Sequence, residues 1–210
     1  MFFNWGLVVL NFVVGISVYK YLPAMVPIHW NIRGEVDGYG SPAMGAFVLP
    51  AVHLFLMGLM VLLPRIDPRK ENYQKMAKPY WMMITSMSLF FTLLYWATLA
   101  IAFGYKLDMG QLIMVGMGIL FAVMGNYFGK LKHNYFMGIK TPWTLASEEV
   151  WNRTHRMAGP MWVIGGIIMV VVALVTGKYC MPIDLGITFT VAIIPIIYSY
   201  FIFRKLKNSE

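Results

Sequence analysis

GKLKHNYFMGIKTPWTLASEEVWNRTHRMAG, residues 129–159, is polar, aromatic and charge-rich, and an uncharged segment about twenty residues long flanks it on either side. A tether between two buried segments needs none of this variety. A loop of this length with its own local structure is where function concentrates. The backbone at Thr141 is pushed away from helix by Pro142. Ser147 is a good N-cap, and Glu148 and Glu149 complement the dipole of a helix starting there. Arg153, His155 and Arg156 lie towards its far end, while Val150, Trp151, Thr154 and Met157 share one side at helical spacing. The pattern predicts a short amphipathic helix with a Trp–Met face turned to lipid or to neighbouring helices.

Outward from this loop the chain is dominated by uncharged runs. It is 59% hydrophobic and only 12% charged, against about 25% charge in a soluble domain. Six runs can each supply the ~20 apolar residues that cross a bilayer. They predict transmembrane helices over 3–20, 44–64, 79–103, 109–129, 159–177 and 185–203. The first has no basic n-region and no small-x-small cleavage site, so it is expected to stay as helix one. The fold class is therefore an all-α integral membrane protein with six transmembrane helices, one polytopic domain over 1–210. With both termini cytoplasmic, inner segments hold 13 of the 17 Lys and Arg residues and outer segments 4. The inverse arrangement would oppose the positive-inside rule. A net charge of +8 spread over several loops forms no nucleic-acid platform. The single cysteine, Cys180, is expected in a short outer loop beside Pro182, and alone it supports neither an intrachain disulfide nor a redox pair.

The second long connection, 21–43, then faces outside. Its Ile28, Trp30 and Ile32 alternate with His29, Asn31 and Arg33 before Gly34, Asp37 and Gly38. This predicts a short extracellular β-hairpin or flap between helices 1 and 2. His29, Glu35 and Asp37 have the chemistry of a divalent metal site, the alternative being a solvated loop in which Arg33 pairs the carboxylates. No cofactor is otherwise predicted. His53 is the ionisable residue deep in a predicted helix, where a neutral imidazole bonded to a carbonyl is the simplest state. Asn126 is expected to bond between helices. Gly118, Ala122, Gly125 and Gly129 suit close helix packing within one protomer. Glu148, Asn152 and His155 share a helical face and could serve metal binding or proton transfer. There is no HExxH, no GxSxG and no internal repeat, so a membrane enzyme or a small transporter has little to stand on.

Two segments resemble a known family. Gly125-Asn126 followed by HNYFMGIKTPWTLASEEVWNRTHRMAG is similar to the signature of the Sdp immunity family, and LPAMVPIHWNIRGEVDGYGSP resembles the domain of unknown function that opens its members. The resemblance implies a multi-pass bacterial plasma-membrane protein that protects its cell from a secreted peptide toxin. It also implies a signalling role, because the family's founding member holds a transcriptional autorepressor at the membrane on sensing toxin. On that basis His29, Trp30, Arg33, Glu35, Asp37 and Tyr39 are the expected toxin-facing residues. The cytoplasmic loop, 130–158, would offer Lys140, Thr141, Pro142, Trp143, Ser147, Glu148, Glu149, Trp151, Arg153, His155 and Arg156 for docking. No catalytic residue carries over. The partners implied are the toxin, a cytoplasmic repressor and the lipid bilayer, with no direct contact to nucleic acid.

Overall fold

A computed structural model of the chain describes residues 1–177 and 180–208. Six helices among them are long and apolar enough to cross a membrane. They are α1 (Phe2–Val18, extended by a 3-10 turn at Tyr19–Tyr21), α2 (Pro42–Ile66), α4 (Ala77–Ala102), α5 (Met109–Phe128), α7 (Glu148–Thr176) and α8 (Cys180–Lys207). The hairpin is β1 (Val26–Trp30) with β2 (Val36–Gly40), and two five-residue helices, α3 (Glu71–Lys75) and α6 (Pro142–Ala146), complete the fold. Helix starts follow local chemistry: Ser41 accepts from the Met44 N–H ahead of Pro42, and Asp108 accepts from the Gln111 N–H. Large apolar side chains such as Phe55, Val175 and Phe189 point outward, as a bilayer solvent permits.

Two expected boundaries move. The Ser147 cap does form, but it starts the fifth spanning helix rather than a separate amphipathic one. At 29 residues α7 is about 43 Å long, against a hydrocarbon core of about 30 Å. Its first turns therefore project beyond the hydrocarbon core into the headgroup zone and carry the charges that look, in sequence, like an independent helix. The separate short helix of this loop is α6, set off by the Thr141–Thr144 capping box. The last helix begins at Cys180 rather than 185, so Cys180 opens a helix instead of sitting in a loop. Its side chain and Lys178, counted with the outer cations, lie outside the described residues.

The most intimate packing joins α5 to α7. A Cβ placed on Gly125 would lie 2.6 Å from the carbonyl oxygen of Gly159, and one on Gly118 2.6 Å from that of Gly166. The two backbones touch directly, as small residues allow in membranes. Gly118 and Gly125 form this seam within one protomer, whereas Gly129 stands clear of it. The largest buried cluster lies towards the end away from the hairpin, where Met57, Met76 and Met83 fill space between Tyr73, Tyr80, Phe128 and Trp151.

Candidate functional site

The hairpin closes on an Asx-type turn. Asn31 Oδ1 accepts from the N–H groups of Arg33 and Glu35, and Gly34 adopts φ +74°, which suits glycine. The strands pair antiparallel, Val26 opposite Gly40 and Trp30 opposite Val36, with irregular register between. Val26 and Pro27 are buried, while His29, Arg33, Glu35, Asp37 and Tyr39 are exposed. His29 Nδ1 lies 2.5 Å from Asp37 Oδ1. Glu35 is engaged elsewhere, accepting from Asn31 Nδ2 at 3.1 Å, and no ion pair of Arg33 with a carboxylate is present among the described residues. His29, Glu35 and Asp37 thus do not converge, and no group of three or more metal-ligating side chains forms among the described residues. Trp30 is half-buried and lines an apolar cavity of about 140 Å³ with Ile28, Met44, Leu49, Leu94 and Ile113. It roots the hairpin on the helices rather than presenting itself to solvent.

Beneath it, Asn11 ties three helices together. Its Nδ2 lies 3.2 Å from Thr92 Oγ1 and 3.4 Å from Nδ1 of the fully buried His53, while Trp96 Nε1 donates to its Oδ1 at 3.1 Å. The partner of His53 is a side-chain amide, not the carbonyl expected. Asn126 is exposed and makes no side-chain hydrogen bond to another helix among the described residues.

At the opposite end the long loop is a built structure. Trp151 is fully buried, donates Nε1–H to the Leu131 carbonyl at 3.0 Å and stacks on His155 at a centroid distance of 4.1 Å. Its face is turned to protein, not lipid. His155 is buried too, which separates it from the exposed Glu148 and Asn152, so those three make no common surface site. His155 Nδ1 meets the Trp151 carbonyl at 2.9 Å, and its Nε2 accepts from the Ile139 N–H at 2.8 Å. A carbonyl only accepts and an amide N–H only donates, so the ring is the neutral Nδ1–H tautomer. Gly138 passes close above it at φ +116°. Thr141 is buried, bonding Thr144 and Ser199, and Trp143 packs against Tyr200. Pro142 and Glu149 are exposed, Ser147 is half-buried at its cap, and Glu149 pairs with Arg153 at 2.6 Å. Lys140 reaches the Phe136 carbonyl, and Arg156 is exposed.

The residue that organises this end is one that sequence reading passes over. Asp67, buried between α2 and α3, accepts from the Arg69 N–H (2.8 Å), the Tyr73 hydroxyl (2.8 Å) and the Tyr135 N–H (3.0 Å). Burial and the neighbouring Asp67 carboxylate push the Tyr73 hydroxyl well above its usual pKa. Asn134 Oδ1 accepts from the N–H groups of Phe136 and Met137, and Asn72 Nδ2 donates to the His133 carbonyl. Burial lowers the His133 pKa and the nearby Arg69 charge lowers it further, while Glu148 and hydrogen bonds to the Leu145 and Thr144 backbone oppose both. In sequence, Asp67 stands beside Arg65, Pro68 and Arg69 and reads as a solvated turn. Its only signal is the Asp-Pro step at the end of an apolar run.

Comparison with known proteins bears out the resemblance. Residues 130–199 match the SdpI/YfhL protein family, and residues 6–54 match a domain of unknown function, DUF1648. Over 204 residues the chain is 29% identical to the immunity protein SdpI of Bacillus subtilis (strain 168), spanning 97% of this chain and 96% of that one. No solved structure matches. Six spanning helices and this likeness make the chain a multi-pass protein of the bacterial plasma membrane.

Proposed function

For this relative of the Sdp immunity family we propose a membrane immunity protein that shields its cell from a secreted peptide toxin. The observation that carries it is likeness to the immunity protein SdpI along nearly the whole chain. The fold supports it with one ordered extramembrane element at each end. By the positive-inside rule both termini and the loop 130–158 face the cytoplasm, and the hairpin faces out. Exposed His29, Arg33, Glu35, Asp37 and Tyr39 then form the toxin-facing surface, with Trp30 as its root. Lys140, Glu149, Arg153 and Arg156 form an exposed inner surface for a cytoplasmic partner such as a repressor. Thr141, Trp151 and His155 support that surface from beneath. The test is expression in toxin-sensitive cells. Survival should rise with this protein, and unchanged killing at normal membrane abundance would defeat the proposal.

A further inference from the structure

The loop end carries a pocket of about 360 Å³ lined by Arg69, Glu71, Lys75, His133 and Glu148. Its volume is within the range of small-ligand sites. Two cations and two carboxylates face it, yet none pairs with another within 4.0 Å. Among the described residues the ion pairs are His29–Asp37 and Arg153–Glu149 alone. The Arg69 guanidinium stacks over the Tyr135 ring at 5.1 Å, and its Nη1 is buried with no hydrogen-bond partner. Asp67 does not serve it: its oxygens accept from two backbone N–H groups and the Tyr73 hydroxyl, and no Arg69–Asp67 ion pair forms among the described residues. His133 is only 4% exposed; its Nε2 makes no hydrogen bond of good geometry, and the Leu145 and Thr144 backbone lies against its ring. Buried polar atoms are seldom left unmade. Charges of both signs line one pocket without pairing, an arrangement that a ligand carrying both signs would span.

Location narrows the class. Arg69, Glu71 and Lys75 fall between spanning helices that end at Ile66 and begin at Ala77, and Glu148 is the first residue of α7. The pocket therefore lies at headgroup depth. We propose that it is a phospholipid-headgroup site for a zwitterion with a phosphate and a primary amine, of the phosphoethanolamine type. The phosphate takes Arg69 and Lys75. The ammonium sits between Glu71 and Glu148. A site for anionic lipid alone would carry cations without these carboxylates.

The test is native mass spectrometry of the full chain in detergent, titrated with short-chain phosphoethanolamine, phosphocholine and phosphoglycerol lipids and with soluble phosphoethanolamine. The phosphoethanolamine lipid should be retained best. Arg69→Gln should weaken every phospholipid by roughly tenfold or more, the scale of a lost charge-assisted hydrogen bond, and Arg69→Lys should restore part of it. Glu148→Gln should abolish the preference for a primary amine while phosphate binding stays. Equal retention of phosphoglycerol lipid by the unaltered chain, or Glu148→Gln with its preference intact, overturns the zwitterion. Soluble phosphoethanolamine binding as tightly as the lipid overturns the membrane source. A survival assay is independent of every arm.

Discussion

Replacing Asp67 by alanine removes the carboxylate on which two segments meet. Three donors lose their acceptor: the N–H groups of Arg69 and Tyr135 and the Tyr73 hydroxyl. A hydrogen bond to a charged group contributes about 1.5–3 kcal/mol. The Arg69 N–H can turn to water, and the Tyr73 hydroxyl has Asn134 Oδ1 within 3.3 Å as a second acceptor. Only the Tyr135 N–H is then left wholly unmet, so the loss is about 1.5–3 kcal/mol rather than the full sum. For a chain of this size that is a fall of roughly 3–12 °C in melting temperature. The assay is thermal unfolding of the detergent-purified protein. It should be paired with labelling of a cysteine at Met137 in a Cys180→Ala background. Asp67→Ala should melt earlier and label faster at 137, and Asp67→Asn, which keeps one acceptor oxygen, should fall between. A melting temperature within about 2 °C of the parent, with 137 still protected, would refute the claim that Asp67 holds these segments together.

Gly125→Leu should largely abolish folded protein, seen as loss of the monodisperse peak in size-exclusion chromatography, because even a Cβ there meets the Gly159 carbonyl at 2.6 Å. Trp30→Ala enlarges the apolar cavity under the hairpin, so protection against toxin should fall while membrane abundance holds. For topology, a cysteine at Asp37 in the Cys180→Ala background should label from outside and one at Glu149 should not. Acidification should loosen the 130–147 loop through His133. Its folded pKa is lowered below 6.5 by burial and by Arg69, so the unfolded chain binds the proton first. Stability is then intact above pH 6.5 and is lost as pH falls from there towards the folded value, readable as faster labelling at 137.

The six spans are legible in the sequence because lipid imposes length and apolarity, and both are one-dimensional properties of a chain. The hairpin is legible from alternation and turn residues, and the Ser147 cap from local chemistry. The unbroken run of helix beyond that cap is not. Charges at Glu149, Arg153 and Arg156 mark water on one side of a helix, and the same pattern serves a free amphipathic helix or the protruding head of a long spanning one. Trp151 reads as facing lipid or neighbouring helices and His155 as part of a polar face; both are buried against protein, because their partners Leu131 and Ile139 come from the preceding loop and no local pattern encodes that pairing. Asp67 escapes a reading of the sequence for the same reason, since the worth of its oxygens depends on Tyr73 and Tyr135 arriving from elsewhere.

The continuity of α7 changes what a moving part can be. A loop helix on flexible joints could swing off and back alone. Here the polar head is the upper end of the same rod that runs through the lipid, and residues 131–139 hang from its side by the Leu131–Trp151 and Ile139–His155 bonds. Tilt that rod by a few degrees and its cargo travels with it. At about 1.5 Å of rise per residue, a slide of one residue lifts or sinks Arg153 and Arg156 together relative to the phosphates. The loop end is thus geared to the membrane-embedded shaft, with no hinge required between them.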